Sequence, residues 1–189
     1  YLHCFEKVYA HADYVTVNIS SPNTVGLRDL QGEEELNRLL RALANRRREL
    51  ADDTGRRVPV AVKVAPDLDS RAITAIAAAV ARHHMDAVIA TNTTISRSGV
   101  ESLPRAEEEG GLSGRPVFEP SNLVLGEFRE RLPEQVALIG GGGILEGSDA
   151  ARKIELGADL VQFYTGFVYR GPALIADCVK AIGALRRRS

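Results

Sequence analysis

The sequence predicts an α/β fold built on parallel strands, and three observations predict it. Short apolar segments alternate with helical patterns from one end of the chain to the other, the segments are rich in β-branched and aliphatic residues, and each turns polar or glycine-rich at its carboxyl end. Strand and helix in regular succession mean parallel strands joined by right-handed crossovers. The 189 residues, 44% hydrophobic and 26% charged with a formal net charge of -1, suffice for one domain with a substantial core.

Five strands are predicted, over residues 14–20, 58–64, 87–91, 136–139 and 160–164, each bounded by turn formers. Between the first two, Leu36, Leu39, Leu40 and Leu43 recur at helical spacing on one face, with Arg38, Arg41, Arg46, Arg47 and Arg48 on the other. A second helix over residues 70–83 is Ala-rich and buries Ile73, Ala77 and Val80. A third starts at Ser148 as its N-cap and stops at Gly157 as its C-cap, with Ile154 and Leu156 facing inward. Residues 94–120 carry Gly99, Gly110, Gly111, Gly114 and the acidic run Glu107-Glu108-Glu109 with little regular pattern. A loop of that length inside a compact domain is expected to act as a lid.

Composition closes several other routes. Twenty-four basic side chains against twenty-five acidic ones leave no positive field for a phosphodiester backbone, so no nucleic-acid partner is expected. The Arg46-Arg47-Arg48 and Arg186-Arg187-Arg188 runs read as solvated helix ends. With only Cys4 and Cys178, there is neither a disulfide framework nor a Cys-rich zinc site, so a reducing compartment and no metal are expected. No apolar run reaches the roughly 18 residues of a membrane span. The opening Tyr1-Leu2-His3-Cys4-Phe5-Glu6 has no initiator Met and no signal-peptide pattern, which leads us to expect the interior of a longer chain.

The strand ends carry the chemistry. Residues 14–20 run into Asn18-Ile19-Ser20-Ser21-Pro22-Asn23-Thr24, residues 87–90 into Thr91-Asn92-Thr93-Thr94, residues 136–139 into Gly140-Gly141-Gly142-Gly143, and residues 160–163 into Tyr164-Thr165-Gly166. In parallel α/β folds ligands bind outside the carboxyl ends of the strands, so these segments should converge on one site. In Val60-Ala61-Val62-Lys63-Val64 the valines take the helix-covered face, which turns Ala61 and Lys63 to the barrel interior. An ammonium there is costly without an anion, so Lys63 predicts an anionic or electron-rich ligand.

Glycines between strand and helix leave backbone N–H groups free to cradle phosphate, and in (β/α)8 barrels the phosphate site commonly uses the loops after the last two strands. Gly140 to Gly143 and the Tyr164 segment occupy that place. Ser20 and Ser21 stand where the first strand breaks, Ser21 held extended by Pro22. None of His3, His11, His83 and His84, which read as surface residues, is placed to activate Ser21, so a Ser-His-Asp hydrolase is a poor reading. Asn18, Asn23, Asn92 and the hydroxyls of Thr91, Thr93 and Thr94 suit a planar polar substrate with amide and carboxylate edges.

The ordered series of the Asn18 segment with Gly26-Leu27-Arg28, Val62-Lys63-Val64-Ala65-Pro66-Asp67-Leu68, Thr91-Asn92-Thr93-Thr94, Gly110-Gly111-Leu112-Ser113-Gly114, Gly140 to Gly143 and Gln162-Phe163-Tyr164-Thr165-Gly166 resembles the motifs of the dihydroorotate dehydrogenases along essentially the whole chain. The resemblance implies a TIM barrel that oxidises dihydroorotate to orotate through FMN in pyrimidine biosynthesis. Ser21, where members using soluble acceptors carry cysteine, is similar to the quinone-reducing class 2. It implies Ser21 as the base, with Thr24 our candidate for a proton relay. Asn18, Asn23, Asn92 and Thr93 would hold the substrate, and Asn18, Lys63, Thr91, Gly114, Gly143, Tyr164 and Thr165 would hold FMN. A quinone partner implies peripheral attachment to the cytoplasmic side of a bacterial membrane through an amino-terminal segment.

A closed barrel has eight strands and about 250 residues. Five strands in 189 residues therefore predict the carboxyl-terminal part of such a barrel, soluble but inactive by itself and prone to associate through open edges and an exposed interior. Two other readings stay open: another phosphate-binding barrel, an isomerase or synthase without flavin, and an inactive fragment acting by interaction.

Overall fold

In a computed structural model of the chain, which describes residues 1–23 and 27–187, five parallel strands form one sheet: β1 (Val15–Asn18), β2 (Val60–Val64), β3 (Ala87–Ala90), β4 (Ala137–Gly141) and β5 (Leu160–Gln162). Their spatial order is their chain order. The sheet thus winds in one direction with no switch point, as in a (β/α)8 barrel and unlike a doubly wound sheet. The helices are α1 (Leu2–Tyr9), α2 (Glu33–Thr54), α3 (Ser70–Arg82), α4 (Phe118–Arg131), α5 (Gly147–Glu155), α6 (Thr165–Arg170) and α7 (Ala173–Arg186). Every predicted strand is present, with ends that differ by a few residues.

The register separates two faces. Val17, Val62, Val88 and Leu138 are partners across four strands. They join Leu36, Leu40 and Leu43 of α2, Ile73, Ile76 and Val80 of α3, and Leu125 and Phe128 of α4 in one buried core. On the other face Ala61, Ala87 and Ile89 form a separate cluster against Ala137 and Ile139. Val60, Val62 and Val64 belong to the helix-side core and Ala61 to the interior, as alternation requires.

Five details differ from expectation. The N-cap of α5 is Glu146, not Ser148: Glu146 has extended backbone and exchanges capping bonds with Asp149, while Ser148 lies within the first turn and donates to Glu146 at 2.8 Å. At the other end the cap residue is Leu156, and Gly157 follows it with φ +98, the left-handed position that favours glycine. The long loop ends before residue 120, because a 3-10 turn (Arg115–Val117) leads into α4 at Phe118, and Pro120 fits the first turn, where its missing N–H has no intrahelical partner to lose.

Arg47 and His83 are buried rather than solvated. The Arg47 guanidinium crosses from α2 to Asp86 at 2.6 Å and to the His84 carbonyl at 2.7 Å. Asp86 also accepts from the Val60 N–H at 2.7 Å and pairs with Arg57 at 2.6 Å, so one carboxylate ties α2 to the starts of β2 and β3. His83 stands 2.9 Å from Asn37 at the α2–α3 contact, away from the strand tips.

Removing one member of a buried pair leaves the other charge uncompensated. Asp86→Ala is expected to lower the unfolding free energy by about 3–5 kcal/mol in a denaturant titration. A loss below about 1 kcal/mol would show that Arg47 does not depend on this carboxylate.

Candidate active site

Hydrogen bonding continues past the strand ends and holds their tips together. The Thr91 N–H donates to the Gly141 carbonyl at 3.1 Å, the Asn92 N–H to the Val64 carbonyl at 2.8 Å, and Gly141 is the register partner of Gln162. Between these tips lies a cleft of about 270 Å³. It is lined by Lys63, Thr91, Asn92 and Thr93 from β2 and the β3 tip, by Gly141, Gly142, Gly143, Tyr164 and Thr165 from the β4 and β5 tips, and by Ser113 and Gly114 from the long loop.

Lys63 is half-buried and lies in the row Asn18, Lys63, Ile89, Ile139 across the interior face. Burial lowers the pKa of its ammonium. Among the described residues no carboxylate pairs with it and no side chain hydrogen-bonds to it, which leaves a cation directed at whatever fills the cleft.

A polar network joins the first three strand tips. Asn18 Oδ1 faces the Ser20 N–H at 3.2 Å, the Ser20 hydroxyl at 3.0 Å and Asn92 Nδ2 at 3.2 Å. A backbone N–H can only donate, so the atom it meets is the amide oxygen, and among the described residues the Asn18 NH2 makes no hydrogen bond. Ser20 is fully buried, 2.9 Å from the Lys63 carbonyl and 3.1 Å from Asn92 Nδ2. It braces β1 against β2. Ser21 is the half-buried member of the pair, and its Oγ accepts from the Asn23 N–H at 3.3 Å.

The loop over residues 94–114 is drawn onto these tips. Thr94 and Leu112 form an antiparallel bridge, and the Arg97 guanidinium donates to the carbonyls of Ile95, Ala106, Glu108 and Gly110 at 2.7–3.2 Å. A Cβ on Gly111 would fall 1.9 Å from Thr93 Oγ1 and 2.9 Å from Pro22 Cγ, and one on Gly110 would lie 3.3 Å from Asn23 Oδ1. The loop therefore bridges the β1 tip, with Ser21 and Asn23, to the β3 tip. Farther on, Thr165 donates to Ser113 at 3.0 Å, which joins the loop to the tip of β5.

The glycine turn is shaped by close approach. Gly142 and Gly143 have φ of +97 and +74, and a Cβ on Gly143 would lie 2.5 Å from the Phe118 Cα. Its backbone faces the cleft in front and rests on the start of α4 behind.

The sequence-predicted residues thus fall into three groups. Lys63, Thr91, Asn92, Thr93, Gly114, Gly143, Tyr164 and Thr165 line one cleft. Tyr164 does so while 84% exposed. Asn18 is bonded to Asn92, and Ser21 and Asn23 stand on the adjoining rim. Thr24 lies outside the described residues. Sequence reasoning missed Gln162 as a lining residue, although its alternation with Val161 signals it. It also missed Ser121 and Lys153 behind the turn, which no local pattern marks. Among the described residues no group of three or more His, Cys, Asp or Glu could hold a metal ion.

A singly wound parallel sheet whose tips gather a lysine, an amide network and a glycine turn defines the class of β/α-barrel proteins with a ligand site on the carboxyl face of the strands. Residues 1–185 match the family profile described as Dihydroorotate dehydrogenase, and the chain belongs to that family. It is 58% identical over 182 residues to proteins named dihydroorotate dehydrogenase (quinone) from Burkholderia pseudomallei (strain 668) and Burkholderia mallei (strain SAVP1), covering 96% of this chain and 53% of theirs. Among solved structures it is similar to DHODH from Eimeria tenella in complex with ferulenol (TM-score 0.92, 32% identity, 99% of this chain and 53% of that one) and to the ligand-free type (0.91, 34%, 100% and 55%). The chain spans about half the length of the curated relatives it matches. The resemblance read in the motifs is borne out, and the five-stranded sheet is part of a TIM barrel.

Because Gly111 lies against Thr93 and Pro22, Gly111→Ala is expected to lift the loop. Limited proteolysis within residues 95–110 should become several-fold faster; an unchanged cleavage rate would show that the loop does not depend on this contact.

Proposed function

We propose that this chain supplies the greater part of the flavin and substrate site of a quinone-reducing dihydroorotate dehydrogenase. The observation that carries this reading is the cleft itself, with a Lys63 ammonium that no carboxylate meets among the described residues, the Asn18–Asn92 network beside it and a glycine turn that also lines it. Those features fit FMN, which would accept a hydride from dihydroorotate and pass two electrons on to a quinone. The glycine turn has room only for backbone and suits a phosphate. Lys63 suits a ring system that gains negative charge on reduction.

On this reading Asn18, Asn23, Asn92 and Thr93 hold the orotate ring and carboxylate, with the Asn18 NH2 as donor. Asn18 also approaches the flavin, as do Lys63, Thr91 and Gly114, while Gly143, Tyr164 and Thr165 take the phosphate end. Ser21 removes a proton from the carbon beside the one that gives up hydride. A serine hydroxyl is a feeble base at neutral pH, so it needs an acceptor for its own proton and a dry site. Thr24 is the proposed relay, and the loop held by Arg97 is the proposed cover that excludes water. The identity of Ser21, and the relatives named as quinone enzymes, support quinone as acceptor.

A quinone acceptor places the protein at a membrane surface through sequence other than the residues described. Among those residues no helix is long and apolar enough to cross a membrane.

Stopped-flow reduction by dihydroorotate tests the assignment of the base. Ser21→Ala should keep its bound FMN while flavin reduction slows by about 10²- to 10⁴-fold, and Thr24→Ala should slow it as well. Reduction at the original rate in Ser21→Ala would remove Ser21 from the mechanism, and the same result in Thr24→Ala would remove the relay.

A further inference from the structure

Behind the glycine turn lies a lysine that the proposed chemistry does not use. Lys153, on α5, is 0% exposed. Its stem packs on Gly140, where a Cβ would come within 3.1 Å of the Lys153 Cβ and 3.2 Å of its Cδ. Its Nζ donates to the Ser121 hydroxyl at 2.5 Å and stands 5.3 Å from the centre of the Phe118 ring. Ser121, itself fully buried, lies 2.9 Å from the Phe118 carbonyl and 3.3 Å from the Gly142 carbonyl. A Cβ on Gly142 would strike Ser121 Oγ at 2.9 Å. Lysine, serine and turn therefore form one stack whose front is the cleft.

Among the described residues no carboxylate makes an ion pair with this ammonium. Glu119 on α4 and Asp149 on α5 act on it only from a distance, and Asp149 is already engaged by Arg115 at 2.7 and 3.0 Å. From α7, packed against α5, Asp177 is committed to the Gly147 N–H at 2.9 Å, and Cys178 is buried. β4 and β5 present no titratable group. Burial lowers the Lys153 pKa to about 7. A methionine would fill the same volume without that desolvation cost, and the Ser121 hydroxyl and Phe118 ring carry no full negative charge to offset it, so an anion nearby would stabilise the ammonium further. The side of the turn facing the cleft is where a partner can sit.

We propose that Lys153 is a positioning residue for the cofactor's phosphate: its ammonium, braced through Ser121 against the Gly142 carbonyl, supplies from behind the turn part of the field that retains the anion in front. This rests on the flavin reading for the identity of the anion. It implies proton linkage. Binding a phosphate raises the ammonium's pKa above its value in the free protein, so binding takes up a proton in the interval between the two values. Affinity is then highest below that interval and falls as pH rises through it. A purely structural lysine gives no such preference for a phosphorylated ligand.

The test is equilibrium binding of FMN and of riboflavin, which lacks the phosphate, to the cofactor-free full polypeptide carrying this segment, followed by quenching of flavin fluorescence. From about pH 7 to about pH 9, above the phosphate's own second ionisation near about pH 6, FMN affinity should fall about three- to tenfold while riboflavin affinity stays level. Lys153→Met should bind FMN more weakly at pH 7 by a similar factor and lose the slope. If that variant does not fold, the contrast between the two flavins in the unaltered protein decides alone. FMN binding that is level with pH, or that falls in parallel with riboflavin, overturns the role of Lys153 and leaves the flavin reading standing. Failure to bind FMN at any pH overturns both.

Discussion

Parallel pairing in register, with a side-chain period of two, is the constraint on which the rest depends. Asn18, Lys63, Ile89 and Ile139 are partners across four strands, so they face one way and their neighbours Val17, Val62, Val88 and Leu138 face the other. A slip of one residue in β2 would turn Lys63 into the helix-side core and its valines into the interior. The buried valines thus hold the lysine at the cleft by fixing the face it takes. The polar tips follow from the same register: once β3 and β4 pair, Thr91 meets Gly141, and once β4 and β5 pair, Gly141 meets Gln162.

Three buried or half-buried cations divide the labour differently. Arg47 meets its carboxylate within the protein and serves the fold, holding α2 to the starts of two strands through Asp86. Lys63 and Lys153 have no such carboxylate among the described residues; Lys63 lines the cleft, and Lys153 is buried behind the glycine turn. Desolvation lowers the pKa of both lysines. Charge that the fold does not neutralise is available to a ligand, and on the reading proposed above the two lysines would serve the two electron-rich ends of one molecule.

Much of this was legible in the sequence because it rests on local pattern. Strand alternation gave the face of Lys63, and the change from apolar to polar residues marked all five tips. The order of six motifs carried the family. What stayed hidden depends on contacts between distant segments. Arg47 lies within an arginine run, and only the approach of Asp86 distinguishes it from its solvated neighbours. Ser20 and Ser21 are alike in one dimension; it takes the β1–β2 pairing to bury the first as a brace and leave the second at the rim. Ser148 is a good capping residue, yet the extended backbone at Glu146 and the reciprocal bond with Asp149 set the start of α5 two residues earlier. Lys153 sits in an ordinary amphipathic segment, and its burial follows from Gly140, Leu125 and Ser121 arriving from two other elements.

The central claim is that the tips of these strands surround one flavin, and a crystal structure of the full polypeptide grown with FMN and orotate tests it most directly. Density for the ring system beside the Lys63 ammonium, for the phosphate on the turn at residues 141–143 and for orotate between Asn18 and Asn92 is the result this account requires. A flavin bound elsewhere, or a Lys63 ammonium satisfied by a carboxylate of the protein with the cleft closed over it, would contradict it.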